Sequence, residues 1–132
     1  MKKKKHDYYS IFFYIPLYNT DVMVMVGAKD KKEVEYLLKK QRVNKDTIKR
    51  WVEHENLSWL LKQEAGSLVD SDKLEVIYHF KKWDGDEHDI RILVHEVSHM
   101  VDQIAEAKNF VKETEARAYL SDYLFHMIKT SL

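Results

Sequence analysis

Three glycines and a single proline are all that punctuate a chain of 132 residues. Glycine supplies positive φ and proline stops helices and strands, so a chain poor in both has few places to turn loosely. Closely packed elements joined by short loops are expected. The length is enough to bury a full core and below the size at which chains split, so one domain should span 1–132, with residues 2–6 a flexible basic tail.

The patterns within that frame alternate between strand and helix. Residues 8–18 are aromatic and β-branched, and residues 21–26 form a second strand closed by Gly27. Asn19, Thr20 and Asp21 carry turn chemistry, which predicts a hairpin. Asp30 is a good N-cap for a helix over 31–41, with Val34, Leu37 and Leu38 on one face. Asn44 caps a further helical stretch whose apolar residues include Ile48, Trp51, Leu57, Leu60 and Leu61, with a break near Asn56. Residues 66–72 read as a loop and 74–80 as a third strand. The acidic run 84–89 then caps a long helix over 90–108, and a last helix covers 113–129. The fold class is α+β: a small, mostly antiparallel sheet packed against helices.

Composition excludes several kinds of function. Basic and acidic side chains number 22 each, whereas a nucleic-acid or anionic-membrane binder shows a basic excess. The basic clusters at Lys2–Lys5 and Lys39–Arg50 read as a solvated tail and a solvated helix face. With no cysteine, disulfides, a thiol nucleophile and cysteine zinc sites are ruled out, so a metal must be held by His, Asp or Glu. No stretch approaches the ~20 apolar residues of a membrane span. The short apolar run 11–17 is broken by Tyr14 and Pro16 and lacks a cleavage site, so the chain is expected to stay in the cytoplasm.

One motif carries chemistry. His95-Glu96-Val97-Ser98-His99 lies inside the predicted helix 90–108. A spacing of four puts both imidazoles on one helix face, where two nitrogens can reach one Zn²⁺. Glu96 projects to the side, placed to hold a metal-bound water and take its proton as that water attacks a carbonyl. The flanking Ile92, Leu93, Val94, Val97, Met100 and Val101 suggest a helix buried under a sheet, where unpaired imidazoles would be costly. Tyr119 or Tyr123 could donate to a developing oxyanion, and Asp102, Asp122 and His126 could hydrogen-bond the ligand imidazoles. Their bland alternatives are packing and surface positions. His6, His54, His79 and His88 lack ligand spacing and read as incidental.

The motif together with Thr114-Glu115-Ala116-Arg117-Ala118-Tyr119-Leu120 resembles the small H-E-x-x-H metallopeptidases of phages and mobile elements. The resemblance covers the C-terminal third well and the rest in outline. It implies a zincin-like fold of gluzincin type, with an H-E-x-x-H helix and a C-terminal ligand helix. The metzincin pattern fails, because Asp102 and Ala105 stand where it needs Gly and then His or Asp. The family's E-x-x-A-Y pattern carries over to Glu115, Ala118 and Tyr119, implying Glu115 as third zinc ligand. Glu113, followed by Ala116 and Arg117, partly fits a thermolysin-like pattern and is the alternative; ~200° separates the two on a helix, so only one can face the metal. The strand at 74–82 is implied to be the sheet edge at which a peptide adds. The implied function is a zinc hydrolase acting on peptide or protein substrates. The alternative is a weakly active or inactive zincin fold that binds a partner protein in a regulatory or anti-defence role.

Overall fold

The computed structural model describes residues 7–70, 72–73, 75–110 and 112–132. Strands β1 (Tyr9–Ile15) and β2 (Thr20–Val26) form the expected antiparallel hairpin. β1 is shorter than the aromatic run that suggested it. Pro16 opens a 3-10 turn over Pro16–Tyr18, and Asn19 at φ 48° completes the reversal. Tyr14 Oη donates to Asn19 Oδ1 at 2.5 Å across that turn. Gly27 ends β2 at φ +78°, with Asp7 O only 2.6 Å from where a Cβ would stand.

Three short helices follow: α1 (Lys31–Lys40), α2 (Lys45–Val52) and α3 (Leu57–Lys62). Asp30 and Asn44 cap the first two through the backbone N–H groups of Glu33 and Thr47. Strands β3 (Ala65–Asp70) and β4 (Glu75–Phe80) come next, then α4 (Glu87–Ala107) and α5 (Thr114–Ser131). The result is an α+β domain with a four-stranded mixed sheet in the order β1-β2-β4-β3. β1–β2 and β3–β4 are antiparallel, whereas β2 and β4 run parallel. The parallel pairing is possible because α1–α3 supply the long crossover that such a pair requires.

Alternation along β2 builds two cores. Val22, Val24 and Val26 join Val76, Tyr78 and Phe80 under α4 and α5. Met23 and Met25 join Leu68 and Ile77 under α1–α3. Side chains on opposite faces of one strand therefore tie both helical layers to the sheet. The two methionines do serve as core filling.

The structure corrects three sequence expectations. Residues 66–72 are mostly not a loop: Ser67, Leu68 and Val69 sit in β3, and Gly66 pairs opposite His79. A Cβ on Gly66 would come within 3.0 Å of Leu60 Cδ1, so this glycine permits a close approach rather than a turn. The strand following it is also not the sheet edge. β4 is hydrogen-bonded on both sides, and the edges are β1 and β3; Leu74 lies outside the described residues. Finally, α4 starts at Glu87 rather than residue 90, because Asp86 is its cap. The tail at 2–6 also lies outside the described residues. No helix among the described residues is long and apolar enough to cross a membrane.

Candidate metal centre

The N-terminus of α4 is pinned by carboxylates. Asp86 Oδ1 accepts from the Asp89 N–H at 2.9 Å. In return the buried Asp89 carboxylate accepts from the Asp84 and Gly85 N–H groups at 2.5 and 3.0 Å. The first bond satisfies an orphan donor of the first helical turn, the other two hold the preceding loop onto it, and the carboxylates place negative charge at the positive end of the dipole. Among the described residues, Asp84, Asp86 and Asp89 are also the one group of three whose ligand atoms all lie within 4.8 Å of one another. Capping holds the Asp86 and Asp89 carboxylates in place, while the Asp84 carboxylate lies 3.6 Å from Lys82 Nζ.

At its other end α4 stops on Asn109, at φ 61°. Phe110 N–H reaches back to Ala105 O at 2.9 Å and Asn109 N–H to Glu106 O at 3.3 Å. That pair of bonds closes a helix on a left-handed residue, a conformation asparagine tolerates better than most.

Between these ends, Leu93, Val97, Met100, Val101, Ile104 and Ala105 face the sheet and α5. His95 and His99 lie on the opposite, solvent-exposed side of the helix. The apolar flanks thus bury a different face from the one bearing the imidazoles, and neighbouring Val94 is itself 54% exposed. The expectation of histidines embedded beneath the sheet is therefore corrected. Helical periodicity separates the motif from its apolar neighbours.

The imidazoles do meet. Their Nε2 atoms are 3.1 Å apart, with the rings edge to face at 81°. Two Zn–N bonds of ~2.05 Å at a tetrahedral angle would separate the nitrogens by about 3.3 Å. The pair therefore fits two positions on one zinc ion. The same distance also suits an N–H···N hydrogen bond between neutral rings. Glu96 is half-buried. Gln103, two turns later on that side of the helix, meets Ser67 Oγ of β3 at 3.3 Å, so Glu96 shares the side of α4 that turns towards β3. Burial pushes its carboxyl above the ordinary value, and the His99 charge opposes this. His88 shares the exposed face two turns before His95. It lies 3.0 Å from Glu64 Oε2, which raises its pKa through a hydrogen bond and charge.

The other predicted residues lie on α4 and at or within α5. Glu113 and Glu115 are exposed at the start of α5. Neither joins His95 and His99 in a group of ligand atoms within 4.8 Å, nor does any other described carboxylate. The helices are locked together by an ion pair from Arg117 to Asp102, so Asp102 is engaged with α5 rather than with an imidazole. Tyr119 is 71% exposed. Tyr123, one turn on, packs edge-on against Phe13 of β1 with centroids 6.5 Å apart, which puts both tyrosines on the flank of α5 turned towards β1. Asp122 and His126 are exposed, and His126 carries Thr130 Oγ1 on its carbonyl oxygen at 2.7 Å.

Sequence reasoning passed over one titratable residue of consequence. His79 is fully buried beneath α1–α3, and neither ring nitrogen has a hydrogen-bond partner among the described residues. Burial lowers its pKa to about 4; the nearby Ala28 backbone, outside hydrogen-bonding geometry, offsets only part of that. The available signal was the alternation of the strand, which sets His79 on the same face as the apolar Ile77. No protein-family model matches the chain, and no curated protein or solved structure matches it at a significant level.

Proposed function

We propose that this chain is a zinc-dependent hydrolase of zincin-like fold acting on peptide bonds. The observation supporting this most directly is the His95–His99 pair, with nitrogens 3.1 Å apart on an open helix face and Glu96 beside them. Bound by such a pair, zinc supplies Lewis acidity, polarising a carbonyl and bringing the pKa of water to ~7. His95 and His99 bind and orient the ion. Glu96 accepts a proton from the attacking water and passes it to the departing amide nitrogen. Glu96 is half-buried, and β3 is an edge strand among the described residues, the kind of strand beside which an extended peptide can lie. Glu115 as third ligand, with Glu113 as alternative, and Tyr119 as a donor to the oxyanion rest on sequence alone.

The test compares the wild type with Glu96→Gln after zinc reconstitution, by metal analysis and by cleavage of unstructured protein substrates. About one zinc per chain in both proteins, with hydrolysis only in the wild type, is expected. Cleavage retained by Glu96→Gln overturns the mechanism.

A second reading draws on the exposure of Glu113 and Glu115, neither of which joins the histidines in a group of ligand atoms within 4.8 Å. In it the fold binds a partner protein without cleaving it. Capture of an intact partner to equal extents by the wild type and Glu96→Gln supports this reading.

A further inference from the structure

A second concave site lies on the far side of the sheet from the histidine pair. It is a cavity of about 220 Å³ where the C-terminus of α1 and the start of α2 overhang β1, β2 and β4. Drug-sized ligands occupy pockets of ~300–1,000 Å³, so an occupant here is smaller. Phe12, Met23, Leu38 and Trp51 make its walls largely apolar.

The charges around it are unevenly satisfied. Asp21 and Glu75 are direct neighbours across the parallel β2–β4 pairing. Arg50 takes up Glu75, with Nη2 2.7 Å from Oε1, and takes up Asp70 through Nη1 at 2.7 Å. Asp21 lines the cavity, is half-buried, and has no ion-pair partner among the described residues. Burial and then the Glu75 charge push its carboxyl up. Desolvating a carboxylate without a partner is costly, and a ligand cation would offset that cost.

The opposite charge stands at the rim of the same cavity. Arg42 lines it, is exposed, and likewise makes no ion pair among the described residues. Arg42 holds φ 61°, with its N–H on Lys39 O at 2.9 Å and Val43 N–H on Leu38 O at 3.1 Å. Glycine is the usual residue at such a helix stop, and a side chain there is strained. One cavity therefore presents an apolar wall, a carboxylate and a guanidinium that do not pair with each other.

We propose that this cavity binds a small zwitterion of amino-acid size with an apolar side chain, its ammonium on Asp21 and its carboxylate on Arg42. The apolar body lies against Met23, Leu38 and Trp51. The site is independent of the histidine pair, so it stands whether or not the chain is a hydrolase.

Calorimetric titration of the full chain in EDTA tests this, since chelation removes any metal through which an amino acid could bind at His95 and His99. The probes are L-phenylalanine and L-leucine, with 2-phenylethylamine and 3-phenylpropionate as singly charged counterparts of the first. Saturable binding of the amino acids is expected, with both counterparts at least about tenfold weaker. Asp21→Asn should bring L-phenylalanine down to the affinity of 3-phenylpropionate, and Arg42→Gln down to that of 2-phenylethylamine. Arg42 is exposed, so its variant reports on binding even if Asp21→Asn fails to fold. No amino-acid binding, equal affinity for all three phenyl compounds, or undiminished binding by Arg42→Gln overturns the proposal.

Discussion

Protonation of His79 should set the acid stability of this protein. In the folded chain its pKa is about 4, against 6.5 when unperturbed. The unfolded chain therefore takes up a proton first as pH falls. Stability is fully present above pH 6.5 and is lost as pH drops through that value towards the folded pKa. A gap of ~2.5 units corresponds to at most about 3.4 kcal/mol, of which about 2 kcal/mol is gone by ~pH 5. For a domain whose total stability is ~5–15 kcal/mol, that is a large fraction. Urea unfolding followed by tryptophan fluorescence from ~pH 8 to ~pH 4.5 should show the midpoint falling at constant m-value. His79→Leu removes both orphaned nitrogens and the titration. Its midpoint should fall less steeply over that range, with the difference between the two proteins growing towards acid by about 2.5 kcal/mol. His88 acts with opposite sign, because Glu64 raises its pKa; it is unchanged in both proteins and cancels in the difference. Parallel pH profiles for wild type and His79→Leu would refute the argument.

Other outcomes follow from the same packing. On the proposed zinc-site reading, His95→Ala and His99→Ala should each abolish zinc binding; both should keep their melting temperature without metal, since both side chains are exposed; metal analysis and calorimetry check this. Tyr78→Phe should raise stability by up to about 1 kcal/mol, because the buried Tyr78 hydroxyl has no partner among the described residues; a loss of that size would show that the hydroxyl is bonded. Asp89→Ala strands the Asp84 and Gly85 N–H groups, and denaturant unfolding should show a loss of about 2–3 kcal/mol. Gly27→Ala sets a Cβ 2.6 Å from Asp7 O at φ +78°, which should cost at least ~1–2 kcal/mol by thermal melting.

Local signals carried much of this molecule. Asp30 and Asn44 bond the N–H groups three residues on, as expected of short polar side chains before an apolar-periodic run. The β1–β2 hairpin likewise follows from turn residues between two β-prone runs. The spacing of His95 and His99 was enough to bring their nitrogens together, because four residues make about one helical turn.

What tertiary structure decided involves partners distant in sequence. Gly66 and the polar residues around it read as a loop in isolation; pairing with β4 makes the segment a strand. β4 became an inner strand only because β2 runs beside it, a contact made across three intervening helices and β3. The apolar residues around the H-E-x-x-H motif showed that α4 is half-buried. Which half depended on where the sheet and α5 lie, and they cover Leu93, Val97 and Met100 rather than the imidazoles. The relation of Glu113 and Glu115 to the histidine pair depends on how α5 docks on α4, which no spacing within either helix encodes. The ion pair between Arg117 and Asp102 belongs to that docking.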